Sequence, residues 1–170
     1  MKRVLFSLTC VSALLISGCS KQAKEEKEVP TVVKAEAAAL VSEAQFAMEI
    51  REYARAEELI QRALKLREDM PEYWVTLGMA HRKQEEKDDA RKAYKKALGL
   101  HVDRYKKKKD PAEIAHQAFV LGLLGQTEEA LKLLSQGVKD HPNSSFLKDK
   151  ADSRGLPRTF RTPEFKALSL

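Results

Sequence analysis

The side chains with the widest chemical reach are two cysteines and four histidines. The histidines are His81, His101, His116 and His141. In sequence none stands in a His-x3-His, Cys/His or His-Glu-x2-His arrangement, so no metal site is expected from local spacing. His81 is expected to be a core residue. No nucleophile elbow, phosphate-cradling loop or dinucleotide-binding glycine pattern occurs. Paired acids such as Glu57-Glu58 and Asp88-Asp89 fall in highly charged stretches, where solvation accounts for them. The expectation is therefore not an enzyme: no catalytic residue, no metal and no cofactor. The remaining reactive group is the Cys19 thiol, which follows Ile16, Ser17 and Gly18.

What precedes Cys19 gives it a setting. Lys2 and Arg3 form a positive start, and residues 4–16 then run thirteen positions without a charge. That is the length of a signal-peptide apolar core. It is too short for a bilayer, which takes about 20 apolar residues. Ile16-Ser17-Gly18-Cys19 resembles the lipobox of bacterial lipoproteins. The resemblance implies that residues 1–18 are removed and that the Cys19 thiolate takes up a diacylglyceryl group. The small residues would let a signal peptidase close on the backbone. An ordinary signal peptide that happens to end near a Cys is the alternative. Cys10 would leave with the signal, so no pair would remain for a disulfide. Ser20, rather than Asp, follows the Cys, which resembles the outer-membrane sorting class if the source is Gram-negative. Residues 19–34 would be the lipidated Cys and a tether, being mixed in charge and too poor in large apolar side chains to offset chain entropy.

The rest must supply a fold. At 170 residues there is room for one domain, and 33% charged residues with only 7 Gly and 6 Pro favour helices over many tight turns. Residues 74–97 read Trp74, Leu77-Gly78, His81, Ala90, Tyr94, Ala97. This resembles the tetratricopeptide repeat, a 34-residue helix–turn–helix unit. The resemblance implies that small residues at 78, 90 and 97 let two antiparallel helices approach, while Trp74, Leu77 and Tyr94 fill the space left. Stepping back 34 positions, Leu40, Ala44, Ala56, Ile60 and Ala63 fit, whereas Glu43 and Ala47 depart. No Gly or Pro lies between Lys34 and Met70, so one unbroken helix over 35–68 is the alternative there. Forward, the match to Ala90 is Ala130, 40 positions on. It carries Ile114, Ala118, Leu121, Leu134 and Gly137, with Gly125 in the turn and Gln117 departing. The six extra residues fall in 100–110 and predict a second-repeat B helix prolonged by one to two turns. Thr127 is expected to cap the next helix.

The expected architecture is all-α, a helical-repeat solenoid of about three helix pairs over residues 35–143 (35–69, 71–104 and 111–142). Residues 144–170 form a capping helix and tail. Residues 145–151 are expected to turn Phe146 and Leu147 inward. Thr162-Pro163 reads as the start of a short helix to Ser169 presenting Phe165 and Leu168.

Two surfaces invite function. The family resemblance implies a groove lined by the A helices. Here that means Gln45, Met48 and Glu49; then Glu72, Val75, Met79, Arg82 and Lys83; then Ala115, Phe119 and Leu123. A peptide or amphipathic helix would lie there, with Met79 and Phe119 as anchors. The alternative is that the chain's own tail covers the apolar third repeat. The second surface is basic: residues 82–109 hold twelve Lys/Arg against five acids. Lys92, Lys95, Lys96, Arg104, Lys106, Lys107, Lys108 and Lys109 form it. It suits anionic lipid or envelope polymer, or serves solubility and the helix dipole alone. The expected function is a lipid-anchored scaffold of the bacterial envelope that binds a protein or peptide partner, in the manner of lipoproteins that assist assembly of a pilus, secretion or envelope complex. The alternative is a tether acting through its basic helix. Nucleic acid is not an expected partner, because export removes the protein from it.

Overall fold

The computed structural model describes residues 28–170. The expected signal peptide and the expected lipidation site Cys19 lie outside the described residues. Nine helices follow in order among them: α1 (Thr31–Glu49), α2 (Tyr53–Leu66), α3 (Pro71–Lys83), α4 (Lys87–Lys108), α5 (Pro111–Leu123), α6 (Thr127–Asp140), α7 (Ser145–Ala151), α8 (Leu156–Thr159) and α9 (Pro163–Lys166). The first six pair as α1 with α2, α3 with α4 and α5 with α6. The pairs stack through α2 on α3 and α4 on α5, and α7 closes the far end against α5 and α6. No helix among the described residues is long and apolar enough to cross a membrane. The all-α helical-repeat fold is as expected, and residues 35–68 form two helices rather than one.

The turn that divides them needs no glycine. Arg51, Glu85 and Gly125 all have positive φ, at 64°, 68° and 78°. They are spaced 34 and then 40 positions apart, the same offsets as the repeats. After each, one amide reaches back five residues: Glu52 N to Ala47 O at 2.8 Å, Glu86 N to His81 O at 2.9 Å, Gln126 N to Leu121 O at 2.9 Å. This is one helix-ending motif used three times. Glycine is its default residue because a Cβ is disfavoured there. The first two turns use Arg and Glu instead, which hid the break between α1 and α2 from composition.

Several boundaries differ from expectation. Helix α1 starts at Thr31, not 35, so the end of the expected tether is helical. Pro30 precedes it with extended backbone, and its carbonyl accepts from Lys34 N at 3.1 Å. Proline's missing N–H is harmless at a helix start. Helix α4 has 22 residues against 14 for α2 and α6. The extra eight make a little over two turns, at about 3.6 residues per turn. Asp110 then caps α5 by accepting from Ala112 N at 2.9 Å, with Pro111 in the first turn. Gln126, not Thr127, holds the cap position of α6, with no side-chain bond. In α7 Leu147, and not Phe146, turns inward. Phe146 is exposed, with Lys150 Nζ 5.4 Å from its ring. Helix α9 ends at Lys166, with Thr162 accepting from Phe165 N at 3.2 Å.

The core has two lobes. One joins α1, α2 and the near sides of α3 and α4 through Leu40, Ala44, Ile60, Ala63, Leu77 and Ala93. The other joins α4, α5, α6 and the C-terminal segment through Tyr94, Ile114, Ala118, Leu134, Leu147 and Phe165. Trp74 packs against both lobes, and its indole N–H donates to Glu68 O at 2.9 Å. The expected small–large pairing is visible at Gly78, where a Cβ would stand 2.3 Å from Tyr94 Cε1.

Candidate functional site

Helices α1, α3 and α5 carry the expected groove residues, but only part of the groove is open. The chain's last residues lie across its third-repeat end. Phe160 sits against Gly122, where a Cβ would stand 2.6 Å from the ring. Phe165 meets Phe119 edge-on, with ring centroids 5.5 Å apart and planes at 69°. Phe160 and Phe165 lie 5.1 Å apart. Bonds to the tail's main chain fix the register. Leu170 N donates to Leu123 O at 2.9 Å, Arg82 Nε to Ser169 O at 2.7 Å, and the Tyr94 hydroxyl to Leu168 O at 2.9 Å.

The third-repeat end of the expected groove is thus covered by the chain's own tail, the alternative that the sequence offered. Ala115 and Leu123 are buried, and Phe119 and Met79 pack on the same cluster as the tail. Arg82 is engaged by the tail carbonyl. The physical reason is apolar area. Leu156, Phe160, Phe165, Leu168 and Leu170 fall within fifteen residues, and burying each large side chain is worth about 1.5–3 kcal/mol. A neighbouring apolar face is the nearest place to bury them. The open part is therefore the end formed by α1 and α3. Gln45, Glu49 and Lys83 are exposed there, with Met48 and Val75 half-buried. Glu72 is exposed too, but it is held by Arg104 at 2.9 Å. Phe46 and Ile50, near the end of α1, are exposed apolar residues not singled out by the family pattern. Only their contrast with the polar residues around them marks them in sequence.

The basic surface is partly neutralised. Lys92, Lys95, Lys96, Lys106, Lys107, Lys108 and Lys109 are exposed along α4. Lys92 pairs with Asp89 at 2.7 Å and Lys106 with Asp103 at 3.4 Å. Lys96 lies 5.9 Å from the Trp74 ring centre and Lys109 lies 5.1 Å from that of Tyr105. Arg104 is only partly exposed, and it also donates to the Asp69 carbonyl at 3.2 Å. It therefore braces α4 against α3 and does not belong to the basic surface.

Three of the four histidines are tied to partners by the fold. His81 is buried as expected, with Nδ1 2.6 Å from Glu86 Oε2 and 3.8 Å from Glu57 Oε2. His141 Nε2 and the Tyr105 hydroxyl lie 2.8 Å apart. His101 Nδ1 lies 2.6 Å from Glu113 Oε2, and His116 Nδ1 lies 3.9 Å from the same oxygen. Burial holds the His101 imidazole below the usual histidine range, although the Glu113 carboxylate pulls the other way. His101 and Glu113 are 12 residues apart in sequence and belong to different helices, so windows of a few residues could not connect them. Beside them is a cavity of about 150 Å³ lined by Glu72, Val75, His101, His116, Phe119 and Val120.

Residues 41–105 match a protein-family model described as a tetratricopeptide repeat. The match runs from within α1 into the prolonged part of α4, the segment in which the helices repeat at 34 residues. No curated protein matches the chain.

Proposed function

We propose, from the match of residues 41–105 to the tetratricopeptide-repeat model, that the chain is a non-enzymatic repeat scaffold that holds a protein partner while a lipid on Cys19 keeps it at a bacterial membrane. The family match carries the reading, because stacked repeats of this kind bind protein partners. The open face suits a segment of mixed character. Met48 and Val75 offer apolar contact, and Gln45, Glu49 and Lys83 offer polar contact. The lipid rests on Ile16-Ser17-Gly18-Cys19 after an uncharged stretch of signal-peptide length. Ser20 supports the periplasmic side of the outer membrane if the source is Gram-negative. The role is assistance in assembling a pilus, secretion or envelope complex.

Crosslinking in the native host tests this. The parent should yield a discrete crosslinked protein that Met48→Asp and Val75→Asp both abolish. Cys19→Ser should lose acyl label. Identical crosslinks in the parent and both Asp variants would overturn the groove. If reversing the charge of Lys106, Lys107, Lys108 and Lys109 instead frees an unlipidated form from the envelope, the basic-helix tether replaces it. The ion pairs of Lys92 and Lys106 argue against that tether.

A further inference from the structure

We propose that His101, Glu113 and His116 form a binding site for a divalent metal of the zinc class. Two imidazoles and one carboxylate are ligands that such metals favour, and a three-residue set leaves one position for water. The fold brings the set together at the one place where the array departs from its 34-residue period. The prolonged end of α4 carries His101 across to α5. On α5, Glu113 and His116 stand three residues apart, so they share a face. Asp110 and Pro111 fix the start of that helix. Gln117 Nε2 donates to the His101 carbonyl at 3.4 Å, tying the two helices once more.

The geometry is close to that of a ligand set. One ligating atom from each of the three residues lies within 4.8 Å of the others. Tetrahedral zinc with bonds of roughly 2.0–2.1 Å places neighbouring ligand atoms about 3.3 Å apart. The 2.6 Å separation of His101 Nδ1 from Glu113 Oε2 must open a little, and the 3.9 Å gap from His116 Nδ1 to that oxygen must close by a similar amount. Opening the first takes a small shift of His101 or Glu113, which are 3% and 13% exposed, and closing the second takes only a swing of His116, which is 46% exposed. The adjoining 150 Å³ cavity is lined by both imidazoles and has room for a metal-bound water. A metal here would pin the second repeat to the third.

A second group of this kind among the described residues, Glu57, His81 and Glu86, offers a single imidazole, and Gln84 already donates to Glu57 at 2.8 Å. It is the weaker donor set and supplies the control. The full chain, purified in detergent and stripped with chelator, is titrated with zinc chloride by calorimetry and with cobalt(II) by visible absorption. The expected result is one zinc per chain and a cobalt band of four-coordinate type. His116→Ala removes a half-exposed ring. Glu113→Gln keeps an acceptor for His101 but removes the anionic ligand. Both should weaken zinc binding by about tenfold or more, while His81→Gln leaves it unchanged. The proposal is overturned if zinc does not saturate one site, if either His116→Ala or Glu113→Gln binds as the parent does, or if His81→Gln costs as much as they do.

Discussion

The Tyr94 hydroxyl donates to the carbonyl of Leu168, 2.9 Å away and 74 residues further along the chain. The ring is fully buried against Gly78, so only the hydroxyl reaches past α3 to the tail. Burial pushes the phenol above its ordinary tyrosine value, so it stays a donor. Tyr94→Phe keeps the ring and removes the bond. A single hydrogen bond of this kind contributes about 0.5–1.5 kcal/mol. The expected outcome in urea unfolding is a loss of that size with an unchanged m-value, together with faster proteolysis near the C-terminus. Proteolysis at the parent rate would show that the bond does not hold the tail.

Gly78 and Gly99 should respond to alanine in opposite directions, although both lie inside helices. At Gly78 the new methyl would meet the Tyr94 ring at 2.3 Å, and at Gly99 nothing lies within 4 Å. Overpacking of a filled core costs about 1–3 kcal/mol. Replacing an unobstructed helical glycine by alanine gains about 0.8–1 kcal/mol. Thermal unfolding of the two single variants checks the sign. A stabilised Gly78→Ala would mean that Tyr94 can leave its place without loss.

These residues also mark what was legible beforehand. Gly78 and Tyr94 could be read because repeat packing puts a small residue opposite a large one at fixed spacing, and spacing survives in sequence. The third pair was readable at an offset of 40 for the same reason. Which of Phe146 and Leu147 faces inward was not readable, since both are apolar and a seven-residue helix samples too few positions to fix a face. Nor was the pairing of His101 with Glu113, which depends on how far α4 runs before Lys109 turns the chain with φ 55°. The tail's apolar residues and the apolar third repeat were both visible, so docking there stood as one of two readings, and the choice between them follows from tertiary contacts.

The three turns inside the helix pairs provide a graded test of backbone strain. Arg51 and Glu85 adopt φ of 64° and 68°, where an L-residue with a Cβ is disfavoured by roughly 1–2 kcal/mol. Glycine relieves that strain but adds freedom to the unfolded chain, so part of the gain is lost. Arg51→Gly and Glu85→Gly should therefore each raise the melting temperature modestly. Gly125→Ala should lower it, because φ there is 78° and the Leu170 carbonyl lies 3.0 Å from the added Cβ. If Arg51→Gly destabilises instead, the turn between α1 and α2 is held by more than its backbone.

Phe165 decides whether the tail is a fixed part of the array or a removable cover. It is 5% exposed and touches both Phe119 and Phe160. Truncating a buried Phe costs about 3–5 kcal/mol, which is large against the few bonds that otherwise hold residues 156–170. Helices α1 to α6 keep most of their own core without it. Phe165→Ala should therefore release the tail before the array melts, and uncover Phe119 and Leu123. Two observables follow: binding of a dye specific for exposed apolar surface, and early amide exchange confined to the tail. Phe146→Ala is the control, since that ring is 43% exposed and surface substitutions usually fall within about 0.5 kcal/mol. If Phe165→Ala instead lowers stability in a single transition that takes α5 and α6 with it, the tail belongs to the fold of the third repeat. A partner could then reach only the face formed by α1 and α3.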